Sequence, residues 1–206
     1  MKRRRMIAWL VMVLCGLNAV AGAQETFLGR SLDAWGEAVT SADQQKRSQA
    51  AWAIAQLAGK AERGPGDQVC FAELVKLTSD GDATVRYWGV VGLGSYGQRG
   101  GVKDGGQTAV VNTLMPLLDD KSAAPRIAAA EVLGLFGRVD KALPILEAAM
   151  NDSQESVRIQ AVAALEKLGS AARPAQETLR KATSDSSEYV KRISQRAVVS
   201  LEAGKK

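Results

Sequence analysis

The chain lacks histidine, and its 206 residues include only two cysteines, Cys15 and Cys70. Histidine is the commonest general base in enzymes and a frequent metal ligand, so its absence removes the usual centre of both kinds of site. The cysteines have no CxxC spacing, and Cys70 has no histidine to activate it as a nucleophile. We therefore predict no catalytic residue, no cofactor and no metal site, and we expect Cys70 to be buried in helix packing.

The net charge is also small once the first residues are set aside. The formal net charge is +5, and Lys2, Arg3, Arg4 and Arg5 supply four of these positive charges, so the remainder carries about +1. A nucleic-acid-binding protein normally presents a strongly basic surface to the phosphate backbone. The near-neutral balance beyond residue 5 therefore predicts no nucleic-acid partner.

The N-terminus has the pattern of a secretory signal peptide at residues 1–23. The basic residues precede an uncharged apolar stretch from Met6 to Leu17, and Ala21-Gly22-Ala23 is a small-x-small cleavage site. Two alternatives are an uncleaved anchor, for which the stretch is marginal in length, and lipidation at Cys15, which the bulky Leu14 before it disfavours. We expect a mature chain from Gln24 that is periplasmic or secreted, without stable membrane insertion after cleavage.

An internal repeat occupies the rest of the chain, residues 24–206. In four segments an aspartate precedes a cation by six residues. The pairs are Asp80 and Arg86, Asp120 and Arg126, Asp152 and Arg158, and Asp185 and Lys191. Arg47 marks a weaker first copy, with Ser41 in place of the aspartate, and a glycine-rich insert at 97–106 lengthens one interval. The predicted repeats are approximately 26–59, 67–97, 107–137, 139–169 and 172–203.

Each repeat has the pattern of a helical hairpin. Small or apolar residues fall three, four, seven and ten positions after the cation, for example Ala161, Val162, Leu165 and Leu168 after Arg158. This stripe is typical of an amphipathic helix, which we name helix B, and another amphipathic segment, helix A, precedes each aspartate. We expect Gly94, Gly134 and Gly169 to lie at or near the ends of these helices, where a left-handed cap residue belongs. One hairpin cannot bury its apolar face alone, so stacked copies predict an all-α solenoid of about five hairpins.

These residues resemble the HEAT-repeat family, whose intra-repeat turn has a similar Asp-x5-Arg spacing with valine before the arginine. The resemblance implies a right-handed α-α superhelix and a ladder of contacts between neighbouring repeats. In that ladder Asp80, Asp120, Asp152 and Asp185 are acceptors, while Arg86, Arg126, Arg158 and the weaker Lys191 are donors. The segments 85–89 and 126–131 also resemble the HEAT segments that accompany secreted bacterial sulfatases, although no sulfatase domain is present.

Tyr87 and Trp88 form an aromatic pair at the start of one helix B. Trp88 lies off the apolar stripe, so it either anchors a partner on the concave face or covers a gap beside the insert. The insert lacks the GxxxxGK[ST] order of a phosphate-binding loop. We expect a non-catalytic exported scaffold that holds another protein, such as an exported sulfatase, along its concave helix-B face. The alternative is a HEAT-like ligand-binding protein or lyase-type enzyme subunit.

Overall fold

The computed structural model describes residues 26–60, 66–99 and 106–203. The predicted signal peptide and residues 100–105 of the insert lie outside these ranges. Within them, no helix is both long enough and apolar enough to cross a membrane.

A small β-hairpin begins the described chain. Strands β1 (Thr26–Phe27) and β2 (Arg30–Ser31) pair antiparallel, with Phe27 opposite Arg30. The intervening Leu28 and Gly29 have φ angles of 52° and 73°, as a two-residue hairpin turn with both central residues left-handed requires. Helix α1 (Leu32–Ala38) follows at once, and the Ser31 hydroxyl caps it by accepting a hydrogen bond from the Ala34 N–H.

The remaining helices alternate between the predicted A and B segments. The B helices are α2 (Gln44–Lys60), α4 (Ala83–Gln98), α6 (Ala123–Leu135), α8 (Glu155–Leu168) and α10 (Glu188–Ala203). The A segments are α3 (Gly66–Leu77), α5 (Gly106–Leu114) with the 3-10 helix Met115–Asp119, α7 (Val139–Ala149), and the 3-10 helix Gly169–Ala175 with α9 (Gln176–Ala182).

Each B helix packs against the B helix of the next unit, so the five form one continuous row. The prediction of an all-α solenoid is confirmed, with the two-residue strands of the hairpin as an addition that the sequence pattern did not indicate. The apolar stripe also lies where it was predicted. The position seven residues after the cation is buried in three successive B helices, as Leu93, Leu133 and Leu165. Cys70 is buried in the same core.

Two of the three glycines expected to be left-handed caps have helical positions instead, and Gly134 is the last residue but one of its helix. Gly94 and Gly134 are within α4 and α6, and a Cβ there would lie 2.6 Å from Val132 Cγ2 and 2.7 Å from Leu168 Cδ2, respectively. These glycines therefore let a side chain of the next unit approach the helix backbone, and the expectation that they are caps is wrong. Gly169, with φ of 54°, does end α8.

Gly89 gives a test of this close packing. It stands three residues after Arg86, where α2, α6 and α8 carry Ala50, Ala129 and Ala161. Alanine at position 89 should nevertheless destabilise the protein, because its Cβ would lie 2.9 Å from Leu77 Cβ and 3.0 Å from the Thr78 backbone nitrogen. We expect overpacking to cost about 1–3 kcal/mol, more than the ~1 kcal/mol that alanine contributes through helix propensity.

Thermal unfolding followed by circular dichroism measures the effect. Gly36→Ala in α1 is the matched control, since its Cβ would lie 3.7 Å from the nearest Glu73 atom, an ordinary contact. Gly36→Ala should leave the melting temperature unchanged or raise it. A Gly89→Ala protein that melts as high as the control would contradict the packing described for α3 and α4.

Candidate functional site

The ion pair that links neighbouring units has its shortest distances at Arg86. Its guanidinium donates from Nε to Asp120 Oδ2 at 2.7 Å and from Nη2 to Asp120 Oδ1 at 2.8 Å. Nη1 donates to the carbonyl oxygens of Asp80 and Gly81, at 2.9 and 3.1 Å. Arg86 thus closes the turn of its own unit and pairs bidentately with the aspartate of the next unit. Both side chains are nearly buried, with 8% and 7% of their surface exposed.

Two further arginines make the same type of contact. Arg158 pairs with both carboxylate oxygens of Asp185, at 3.0 and 3.1 Å, and donates to the Asp152 carbonyl oxygen. Arg47 makes a single contact to Asp80 Oδ2, at 3.3 Å. In each case the arginine of one unit reaches the aspartate of the following unit. Arg47, which has no aspartate partner in its own repeat, is therefore the first donor of the ladder.

Two of the predicted donors are placed differently. Arg126 donates from Nη1 to the Asp120 carbonyl oxygen at 2.5 Å, but makes no ion pair with Asp152. Lys191 pairs within its own helix with Glu188, at 2.6 Å. No aspartate of a further unit follows Lys191 in the described chain, so it has no equivalent acceptor. The ladder in the described residues therefore consists of three arginine–aspartate pairs. The pair that would join the unit of α6 to the unit of α8, Arg126 with Asp152, is missing.

The aspartates also hold their own turns. In all four repeats one carboxylate oxygen accepts a hydrogen bond from the backbone N–H two residues later, at 2.7 to 2.8 Å. These donors are Asp82, Ser122, Gln154 and Ser187. Such an Asx turn holds the carboxylate in place, and at Asp80, Asp120 and Asp185 the carboxylate also pairs with the arginine of the preceding unit. The aspartate itself does not cap helix B; for α4 that role belongs to Asp82, which accepts from the N–H groups of Thr84 and Val85.

The two bidentate pairs change the pKa values of their members. Hydrogen bonds from Arg86 lower the pKa of Asp120, and burial of the carboxylate partly opposes the change. The same hydrogen bond raises the pKa of Arg86. Arg158 and Asp185 show the same directions for the same cause. Each pair is therefore held in its charged form at neutral pH.

One face of the B helices is partly exposed to solvent, although Ile127 within it is buried. It is defined by positions one, five and nine residues after the ladder arginine, which lie on one side of a helix. In α4 these are Tyr87, Val91 and Ser95, and in α6 they are Ile127, Glu131 and Leu135. In α8 the fifth and ninth positions are Ala163 and Lys167. We name this surface the helix-B face.

A groove of about 410 Å³ runs over the helix-B face. Its lining comes from α4, α6 and α8, and most of it is apolar: Tyr87, Val91, Gly94, Ser95, Gln98, Ala124, Ile127, Ala128, Glu131, Val132, Leu135, Gln160, Ala163 and Lys167. An apolar concavity with a few polar groups at its edges is the usual form of a binding site. Of these residues, only Tyr87 was predicted to bind a partner. Seven of the others lie one, five or nine residues after a ladder arginine, so this spacing could have found them in the sequence.

The two predicted partner-binding aromatics have different positions. Tyr87 lines the groove, whereas Trp88 does not; both are half-buried against the core. Their rings meet edge to face, with centroids 5.0 Å apart. Trp88 therefore supports Tyr87 from the side. The alternative expectation was that Trp88 covers a gap beside the insert. Trp88 lies ten residues before Gln98 of the insert on the same helix, which is about 15 Å along the helix axis.

Ion pairs across neighbouring helices neutralise the charges of this face. Lys167 Nζ contacts Glu131 Oε1 at 2.7 Å, and Arg196 binds both carboxylate oxygens of Glu166 at 2.9 Å. The cationic side chains are mostly exposed, so these pairs contribute little to stability. Their effect is to leave a groove without a strong excess of either charge.

Comparison with known families identifies the repeat. The family model described as HEAT repeats matches residues 111–199. This segment, less than half of the chain, therefore has the sequence pattern of HEAT repeats. None of the curated proteins compared with it matches its sequence.

Solved structures agree with this fold. The phycocyanin lyase complex of CpcE and CpcF from Nostoc sp. has a TM-score of 0.60 at 18% identity, over 87% of this chain and 68% of that chain. A designed armadillo repeat protein in complex with the peptide (KR)4 has a TM-score of 0.55 at 20% identity, over 83% and 82% of the two chains. Armadillo repeat proteins designed for modular peptide recognition have a TM-score of 0.53 at 21% identity, over 82% of each chain. At these identities the likeness shows the fold alone.

Removing Arg86 should cost much more stability than removing Arg126, although both are ladder arginines by sequence. Arg86→Ala leaves the nearly buried Asp120 carboxylate unpaired, and we expect a loss of roughly 3 kcal/mol. Arg126→Ala removes one hydrogen bond to a backbone carbonyl and should cost about 1 kcal/mol. Arg158→Ala should cost less than Arg86→Ala, because the pair of Arg158 with Asp185 is longer and more exposed. Urea denaturation of the three variants measures the order, and equal losses for Arg86→Ala and Arg126→Ala would refute the gap in the ladder.

The Arg86–Asp120 pair should also make the HEAT repeats sensitive to acid. Because the pKa of Asp120 is lower in the folded state, the unfolded chain binds its proton more tightly, and stability rises with pH through this interval. The contribution is complete above the usual carboxyl pKa of 3.8 and is lost as pH falls through the lowered pKa.

Urea midpoints between about pH 7 and pH 2 test this expectation. The stability difference between the parent and Asp120→Asn should be largest at neutral pH and should shrink below about pH 4. Asp119→Asn, at the exposed neighbouring carboxylate, is the control and should follow the parent throughout. A difference for Asp120→Asn that does not change with pH would contradict the pairing.

Proposed function

We propose that this chain is an exported, non-catalytic scaffold that binds an extended segment of another protein in the groove of its helix-B face. The observation that carries the proposal is the groove itself, which is apolar, open, and formed by three successive repeats. A surface built from equivalent positions of stacked repeats suits an extended ligand, because each repeat can contact the next part of the same segment.

Two further findings support a protein partner. Solenoids of similar fold, the designed armadillo repeat proteins, bind peptides. The charges of the groove are already paired within the chain by Glu131 and Lys167, so apolar contact would supply most of the binding free energy. We propose that the groove lies on the concave side of the solenoid, where neighbouring B helices could contact one ligand together.

Export is part of the proposal and depends on the N-terminal pattern of basic, apolar and small residues. A mature chain from Gln24 would meet its partner in the periplasm or outside the cell. The resemblance to segments that accompany secreted sulfatases makes an exported sulfatase one partner to test.

A lyase-type subunit is the second candidate, because the phycocyanin lyase complex has a similar fold. Such a protein would need a pocket lined by aromatic rings for a flat tetrapyrrole. Among the residues that line the groove, Tyr87 is the one aromatic side chain. This composition favours a peptide segment over a planar pigment.

Affinity capture with the mature chain tests the proposal. The bait is exposed to the envelope and secreted fractions of its own source, and bound material is analysed by mass spectrometry and absorption spectroscopy. We expect one enriched protein that is lost with Leu135→Glu, which places a charge in the groove. Val199→Glu is the matched control, since Val199 is 66% exposed on α10 and outside the groove, and it should retain the protein. Capture of a pigment without protein would support the lyase-type alternative instead.

A further inference from the structure

The chain carries an extended segment on its own helix-B face. Phe27 of strand β1 packs against Trp52 of α2, edge to face, with ring centroids 5.0 Å apart. Lys60 Nζ lies 5.5 Å from the centroid of the Phe27 ring. The Trp35 indole N–H donates to the Phe27 carbonyl oxygen at 3.1 Å, which holds the strand in place. The Phe27 side chain, which belongs to an extended strand, thus contacts the Trp52 ring and lies near the Lys60 ammonium group.

Trp52 occupies the same repeat position as residues that line the groove. Arg47 Nη1 donates to the carbonyl oxygens of Ser41 and Ala42, just as Arg86 Nη1 donates to those of Asp80 and Gly81. The two arginines are therefore equivalent. Trp52 follows Arg47 by five residues, and the groove residues Val91, Glu131 and Ala163 follow their own arginines by five residues.

The seat of Phe27 and the groove are parts of one surface. Helix α2 packs directly against α4, and a Cβ at Gly59 would lie 3.8 Å from the Cβ of Ser95, which lines the groove. Strand β1 therefore covers this surface at the first repeat, while the next three repeats leave it open.

The open part offers the same kinds of contact as the covered part. Tyr87 presents an aromatic ring, and Leu135 is an apolar side chain with 38% of its surface exposed. Lys167, which is paired with Glu131 at 2.7 Å, stands at the groove with 62% of its side chain exposed and offers a cation there, as Lys60 does beside Phe27. A lysine near the face of an aromatic ring is attracted by the electrons of the ring.

We propose that the groove recognises an aromatic side chain on an extended segment of the partner, seated against Tyr87 and Leu135 beside Lys167 as Phe27 is seated against Trp52 beside Lys60. This inference rests on the proposed function and names the feature by which the partner is selected. The ligand is an extended peptide with at least one Phe, Tyr or Trp side chain.

Selection from a displayed library of random heptapeptides, with the full mature chain as bait, tests the inference. The retained peptides should share one aromatic position. Replacing that residue by alanine should weaken binding at least about tenfold by fluorescence anisotropy, and replacing it by leucine should weaken binding less. Leu135→Glu should abolish binding of the selected peptides, whereas Val199→Glu should leave it unchanged.

The outcomes separate this inference from the proposed function. Selected peptides that keep their affinity without an aromatic residue, but lose it with Leu135→Glu, would overturn the inference and leave the scaffold proposal standing. Peptides that bind equally well to Leu135→Glu would overturn both, since binding would then lie outside the groove. Sedimentation that shows a dimer lost with Leu135→Glu would assign the groove to a second copy of the chain and would also overturn the inference.

Discussion

The contact between the arginine of one repeat and the turn aspartate of the next governs how the helical hairpins stack. A single hairpin exposes an apolar face that only a neighbour can cover, so the hydrophobic effect drives stacking without choosing a register. The bidentate Arg86–Asp120 pair is directional and nearly buried, which makes a shifted arrangement costly because it would leave a carboxylate unpaired. The same arginine also binds two carbonyl oxygens of its own turn, so the geometry within a repeat and the geometry between repeats depend on one side chain.

Because the ladder side chains meet at the turns, the helix-B face is available to bind a partner. The ladder carboxylates and guanidinium groups are engaged in the turns, where they hold the repeats together. The positions one, five and nine residues after each ladder arginine point away from that contact and vary from repeat to repeat: Val91, Glu131 and Ala163 are equivalent in register but differ in size and charge. A constant stacking contact combined with a variable face allows a solenoid to acquire a specific ligand without losing its fold.

The N-terminal hairpin has two roles in this arrangement. It covers part of the helix-B face of the first described repeat, where Phe27 packs on Trp52. It also shows that this face accepts an extended strand with an aromatic side chain, since Phe27 packs on Trp52. At the opposite end, α10 keeps an apolar inner side with Val190, Ala197 and Leu201 buried, while Tyr189 and Val199 are exposed.

The sequence by itself determined the helical periodicity, the alternation of A and B segments and the positions of the turn aspartates, because these follow from local spacing and from the chemistry of single residues. It did not determine which arginine meets which aspartate. Arg47 joins the ladder and Arg126 does not, and that outcome depends on how whole helices settle against each other. The roles of Gly94 and Gly134 depend on the same packing, since a glycine that caps a helix and a glycine that admits a neighbouring side chain look alike in sequence. The groove and the seat of Phe27 were decided only by tertiary structure, because each brings together side chains from separate helices that no local pattern connects.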